Sequence, residues 1–197
     1  VTEFFRNPEM WDVLREVLRE RTSEQRRVRV WSAPSADGRE PYSVAMLACD
    51  DPQIDESRVE VLGSDISEEA LDNARTGVYH TTRTTDIAEE LEPLSDPDRY
   101  VDRDGDTFRV RPAVQRLVDF ETHDLIRDGA RDPFDVVLCR NLLIYIDVDH
   151  KTALFDTLEA SLAEDGVLVL GMTESVPPDR SDRYESIDKR RRVFTRV

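Results

Sequence analysis

Four short runs rich in valine and leucine set the tightest limit on what this chain can fold into: residues 27–32 (RVRVWS), 59–66 (VEVLGSDI), 134–139 (FDVVLC) and 167–171 (VLVLG). The first run alternates Arg with Val and the others are mostly apolar; Val-rich strands alternating with helices give the pattern of a mostly parallel sheet covered on both faces. The intervening segments supply those helices. Residues 11–21 (WDVLREVLRER) repeat apolar side chains at 11, 14, 17 and 18, and residues 41–49 read as a second helix with Pro41 suited to its first turn. A third follows Ser67, which can cap it, and stops at Gly77. Apolar positions 153, 154, 158 and 162 predict a helix over 149–163 that Gly166 ends.

Between 81 and 117 the pattern changes. Residues 86–91 allow a helical turn or two, and 99–111 (RYVDRDGDTFRVR) predict a hairpin turning at Asp104-Gly105. Strand character resumes at 118–120, and 184–187 with 193–197 predict a closing antiparallel pair across the basic run 188–192. The expected organisation is an N-terminal helical linker over 1–26 and one α/β domain over 27–197, with 81–117 as a small inserted subdomain.

The chain has 197 residues, enough for one such domain with a sizeable core. With 27 basic against 43 acidic residues the net charge is −16, which argues against nucleic acid as a partner. No apolar run approaches the roughly 20 residues that span a bilayer, and the N-terminus lacks a signal peptide's apolar core, so no membrane insertion and a cytoplasmic location are expected. Two cysteines, Cys49 and Cys139, and three scattered histidines, His80, His123 and His150, suggest neither a disulfide framework nor a metal site. Only Lys151 and Lys189 are lysines. An acidic, lysine-poor surface has two readings: adaptation to strong salt, where screening removes self-repulsion, or the codon usage of a GC-rich genome.

Ligands of open α/β sheets sit beyond the carboxyl ends of the strands. Three such ends carry polar or flexible residues. The first, 32–43 (SAPSADGREPYS), lets backbone approach a ligand but lacks both G-x-G-x-x-G and the G-x-x-x-x-G-K-[ST] phosphate loop. Its Glu40 suits either a cationic amino group or the dipole of the helix it begins. The second end, Ser64-Asp65-Ile66, places an acid where such folds hold ribose hydroxyls, or where a turn is simply solvated. The third, Cys139-Arg140-Asn141, offers guanidinium and amide donors. A sugar-binding acid without a phosphate loop favours an adenosine ligand lacking pyrophosphate, and S-adenosyl-L-methionine fits, its sulfonium and ammonium preferring acidic surroundings.

T-x-F-F-R at 2–6, W-S-A-x-S-x-x-G-x-E-P-Y-S at 31–43, S-D-I at 64–66, F-D-x-x-x-C-R-N-x-x-I-Y at 134–145 and G-x-x-E at 171–174 occur in an order that resembles the chemotaxis receptor methyltransferases, the CheR family. The resemblance implies a class I S-adenosylmethionine-dependent methyltransferase: a Rossmann-like, mostly parallel sheet with an antiparallel C-terminal hairpin and a small inserted β subdomain. It implies a protein-glutamate O-methyltransferase that leaves S-adenosyl-L-homocysteine as product and modifies glutamates on the cytoplasmic helical domain of chemoreceptors. Carried over by motif, Thr2, Arg6, Glu40, Asp65, Asp124, Leu125, Arg140 and Asn141 would surround the cofactor, Asp65 at the ribose and Glu40 toward the methionine part. Arg6 and Tyr145 would stand beside the transferring methyl group. Alternatives are a catalytically idle S-adenosylmethionine-binding module and a methyltransferase of small carboxylic acids.

The chain departs from the family in five places, one of them the lack of an Asn that normally lies just before the Thr of T-x-F-F-R. Arg39 replaces a usual first Glu before E-P-Y-S and is expected to change the charge beside the cofactor; Asp124 replaces a commoner Asn. The segment 100–107 is short and lacks the Gly-rich loop of members that grip a receptor's tail peptide, so tail binding is not expected. The family's N-terminal helical domain is not represented, which suggests a piece of a longer protein.

Overall fold

Successive residues of the central strands face opposite sides of the sheet, and this alternation divides the core in two. The computed structural model describes residues 2–197; Val1, the first residue of the expected linker, lies outside the described residues. In chain order the elements are α1 (Pro8–Glu24), β1 (Val28–Ser32), α2 (Arg39–Asp50), β2 (Val59–Asp65), α3 (Glu68–Thr76), β3 (Val78–His80), α4 (Ile87–Glu90), β4 (Val101–Asp104) and β5 (Thr107–Val110). There follow α5 (Pro112–Gln115), β6 (Val118–Thr122), β7 (Phe134–Cys139), α6 (Val148–Ala160), β8 (Leu162–Leu170), β9 (Tyr184–Asp188) and β10 (Val193–Arg196). Val28, Val30, Val136, Leu138, Val167 and Val169 pack with α1 and α2, whereas Trp31, Val137, Cys139, Leu168 and Leu170 pack with α6. Burial of both faces keeps β7 and the end of β8 largely apolar, while Arg29 and Glu60 interrupt β1 and β2; each buried apolar side chain contributes roughly 1.5–3 kcal/mol.

The seven-stranded sheet runs β6-β2-β1-β7-β8-β10-β9. Pairing is parallel from β6 to β8 and antiparallel across β8, β10 and β9, as expected. A second, three-stranded sheet in the order β3-β5-β4 rises between α3 and α5. Its core residues Tyr79, Phe108 and Val110 belong to the same cluster as α1 and α2, so the small sheet packs directly on the main body. No helix among the described residues is long and apolar enough to cross a membrane.

Three local expectations are corrected. The helix predicted over 149–163 stops at Ala160, and Leu162 already pairs with Phe134 as part of β8. Leu162 sits one helical turn beyond Leu158, so helix and strand both bury it, and pairing of its backbone with β7 decides between them. Gly166 therefore ends no helix. Between the pairs Phe134–Leu162 and Val136–Val167 the chain bulges out, with Asp165 at φ 57°, and a Cβ on Gly166 would come within 2.7 Å of the Leu162 side chain. The hairpin turns at Gly105-Asp106, one residue later than expected, because Asp104 pairs with Thr107 and leaves Gly105 at φ 59°. Finally, Val78–His80 adds a strand that precedes the expected 81–117 insertion.

Candidate active site

β1 and β7 are neighbours, yet the chain leaves β1 toward β2 and β6 on one side and resumes on the other at β7 and β8. Such a reversal opens a crevice beyond the strands' carboxyl ends, and two adjoining cavities lie there. A polar one of about 240 Å³ is lined by Thr2, Arg6, Glu40, Arg140, Asn141 and Tyr145, together with Glu3, Ser35 and Ile144. A mostly apolar slot of about 100 Å³ holds Asp65, Asp124 and Leu125, with Ile66, Leu142 and Ile146 among its walls. Pro34 lines both. The fold thus brings every candidate residue to one crevice, divided into a polar and an apolar half.

At the end of β1 the Ser32 hydroxyl donates to Glu40 Oε1 at 2.8 Å, and Arg140 Nη1 reaches Glu40 Oε2 at 3.3 Å. Burial pushes the Glu40 carboxyl above its usual range, against the pull of Arg140, the Ser32 hydroxyl and Arg6. The polar half is therefore of mixed charge, Glu3 and Glu40 against Arg6 and Arg140, and not simply acidic. Arg140 also holds the N-terminal strap in place. Its Nη2 donates to the Arg6 carbonyl at 3.0 Å and to Asn7 Oδ1 at 2.7 Å, and its side chain is almost wholly buried. The strap is residues 2–7; within it Phe4 and Phe5 are buried, and it carries Arg6 to the wall of the polar cavity.

At the end of β2 Asp65 accepts from two backbone amides, Ala36 N–H on Oδ2 (2.9 Å) and Ser67 N–H on Oδ1 (3.0 Å). These fix the carboxylate at the edge of the slot, and each oxygen keeps a further lone pair for a hydroxyl donor. Asp124 closes the turn after β6, its Oδ1 accepting from Ile126 and Arg127 N–H. Asn141, at φ 60°, leaves β7 through the left-handed region. The residue that fixes it is one to which the sequence assigned no role: buried Glu174 accepts from the N–H groups of Asn141 (2.9 Å), Leu143 (2.8 Å) and Gly171 (2.8 Å). One carboxylate thereby locks the ends of β7 and β8 and the 3-10 turn Leu143–Tyr145. Tyr145 stands 78% exposed at the mouth of the polar half.

Two expectations change in detail. Arg39 lines neither cavity; it turns away toward Asp37, Glu90 and the rings of Phe4 and Tyr79, so the charge it introduces lies behind the strap, outside both cavities. Ser35 and Ile66 join the walls unforeseen, although both lie inside motifs the sequence exposes. Cys139 is fully buried, and burial pushes its thiol far up, which leaves a packing residue.

The crevice fits S-adenosylmethionine. A flat purine matches the apolar slot, ribose hydroxyls match the anchored Asp65, and a zwitterionic amino-acid end matches paired acids and guanidiniums. The Ser35 hydroxyl, buried on the polar wall, has no hydrogen-bond partner among the described residues, and a ligand in this cavity would offer it one.

Comparison with known proteins agrees. Residues 1–193 match the family model described as CheR methyltransferase, SAM binding domain. A chemotaxis protein methyltransferase of Listeria monocytogenes is 32% identical over 178 residues, covering 89% of this chain and 65% of that protein. Chemotaxis protein methyltransferase 1 of Vibrio cholerae is 31% identical over 194 residues, covering 94% and 68%. The chain thus spans about two thirds of the length of the curated relatives it matches. Among solved structures, a protein from Bordetella parapertussis described as a possible exported protein superposes with TM-score 0.50 at 19% identity, over 92% of this chain and 48% of that one, a likeness of fold alone. With the motifs, the sheet order and the two-part crevice in agreement, the chain belongs to the CheR methyltransferase family and carries its S-adenosylmethionine-binding domain.

Proposed function

We propose that this protein methylates glutamate side chains on the cytoplasmic helical domain of chemoreceptors, using the crevice between β1 and β7. The observation that carries this reading is the meeting of Arg6, Glu40, Asn141 and Tyr145 in one cavity that adjoins the Asp65 slot. S-adenosylmethionine supplies an electrophilic methyl group when bound. A glutamate carboxylate has an ordinary pKa of about 4.3 and arrives already ionised, so the chain needs no strong general base. Its task is alignment, which can supply several kcal/mol. Arg6 holds the incoming carboxylate by a forked pair of bonds, and the exposed Tyr145 hydroxyl donates to the same group. Asp65 and Glu40 orient the two ends of the cofactor, and the Glu174 knot keeps Asn141 and Tyr145 in register with them.

The open rim, with Ile144 56% and Tyr145 78% exposed, favours a macromolecular substrate over a small carboxylic acid. The test is transfer of a radiolabelled methyl group to receptor-bearing membranes. Arg6→Ala is expected to lose most of the transfer while keeping the thermal midpoint of the parent protein. Binding of S-adenosylhomocysteine without transfer by the parent protein would leave an idle binding module, and transfer to free carboxylic acids alone would reassign the substrate.

A further inference from the structure

The strap that carries Arg6 is conformationally costly. Phe5 (φ 50°) and Asn7 (φ 58°) both occupy the left-handed region, which residues other than glycine adopt only where surrounding contacts enforce it. Arg140 holds the Asn7 end. The other end is held from outside the crevice. Glu90, the last residue of α4, accepts the Phe4 N–H on Oε2 at 2.9 Å, and its Oε1 lies 3.5 Å from Arg39 Nη1. The same Arg39 nitrogen donates to the Thr2 carbonyl at 3.2 Å. The Arg39 guanidinium lies 5.3 Å from the Tyr79 ring centre and 5.9 Å from that of Phe4, and these two rings meet edge-on at 4.9 Å. Ser43 adds a relay within α2, accepting the Phe5 N–H at 3.0 Å and donating to the Arg39 carbonyl at 2.7 Å.

We propose that Arg39 and Glu90 form a latch that positions Arg6, tying the strap to α4 and to the small three-stranded sheet. Neither residue lines the crevice, so both are positioning residues that act through the strap. The proposal rests on the methyl-transfer reading of the site. It gives the Arg39 departure a job, since a glutamate at this position would face Glu90 and repel it. It also makes the small sheet, through Tyr79 and the α4 that follows it, a structural part of the methyl site.

The experiment compares the parent protein with Arg39→Ala, Glu90→Ala, and each of these combined with Arg6→Ala, using receptor-bearing membranes as acceptor. Either latch variant is expected to lower kcat about 10- to 100-fold, with calorimetric affinity for S-adenosylhomocysteine held within about threefold. A latch that works only through Arg6 predicts no further loss in the double variants. Hydrogen exchange supplies a readout independent of activity. The Phe5 amide is bonded to Ser43 and not to Glu90, yet it should exchange faster in Glu90→Ala. Losses that multiply in the double variants, an unchanged kcat, or a cofactor affinity that falls in step with kcat would each overturn the latch. Should an alanine variant fail to fold, Arg39→Lys and Glu90→Gln replace it; each keeps one bond to the strap and is expected to recover part of the rate. A parent protein that transfers no methyl group would refute the functional reading instead, and the exchange data would still judge the latch.

Discussion

Single carboxylates do three different jobs at this crevice, and geometry separates them. Asp65 is anchored by two amides and presents its remaining lone pairs to the slot. Asp65→Ala is expected to weaken S-adenosylhomocysteine binding by about 1–3 kcal/mol, the value of charged hydrogen bonds left unreplaced. Titration calorimetry beside a melting curve checks this, and an unchanged affinity removes Asp65 from the site. Glu40 instead stabilises a buried arginine, and its alignment depends on Ser32. Glu174 lines neither half of the crevice but accepts three backbone N–H groups. Glu174→Ala leaves those donors buried and should cost on the order of 3 kcal/mol or more of unfolding free energy. Glu174→Gln keeps one accepting oxygen, sets an amide against a remaining N–H, and should cost less. Urea unfolding of both variants orders them, and equal, negligible losses would remove the knot. The sequence offers G-x-x-E as a motif but not this role, because two of the three donors lie 31 and 33 positions away along the chain.

At the scale of elements, the parallel strands are legible because burial on both faces makes them rich in Val and Leu, even where Arg29 and Glu60 interrupt the run. Caps are equally local: Ser67 and Gly77 bracket α3 as their residue types dictate. What escapes is decided by partners far away in sequence. Val78–His80 is only three residues long and becomes a strand because β5 pairs with it; Gly166 reads as a stop until its place in a bulge beside β7 is known. The docking of α1 on α2 is of the same kind. Asp51, at the C-terminal cap of α2, is buried and binds Arg15 at 3.0 Å and Arg19 at 2.8 Å, both on α1. Burial alone would raise its carboxyl, but hydrogen bonds from Arg19, the Gln53 N–H and Arg15 outweigh that and hold it below the usual range. A carboxyl with a depressed folded-state pKa contributes stability that is present above its unfolded value of about 3.9 and is lost as pH falls through the folded value. Asp51→Asn is therefore expected to lose about 1–3 kcal/mol at neutral pH and to show a flatter acid limb below about pH 4. Unfolding midpoints measured from pH 7 to pH 3 decide, and parallel curves for the two proteins would assign the acid limb elsewhere.

For the molecule as a whole, the question is how a chain of net charge −16 stays folded. Ion pairs offset part of the repulsion, yet many of them, such as Arg27–Glu60 and Arg75–Asp72, are exposed on both sides and are worth about 0–1 kcal/mol each. Screening weakens these short contacts only modestly, whereas the repulsion among excess acids acts over longer distances. The Debye length falls from about 10 Å at 0.1 M salt to about 3 Å at 1 M, which removes the long-range term first. Ties with one buried partner, Asp51 with Arg15 and Arg19 and Glu40 with Arg140, are screened less than the exposed pairs. Added salt is therefore expected to raise the unfolding midpoint, most steeply below about 0.5 M where the screening length changes fastest. A non-coordinating chloride salt separates screening from the general stabilisation that sulfate gives by exclusion from the surface. The proposed function adds a contrast: if Arg6 and Tyr145, which line the polar cavity, hold an anionic side chain as proposed, that grip should weaken over the same range in which the fold strengthens. Melting curves and substrate KM along one chloride series test both directions at once. A midpoint that stays flat while KM rises would mean that local pairing already balances the surface, and that the acid excess has no part in holding the fold.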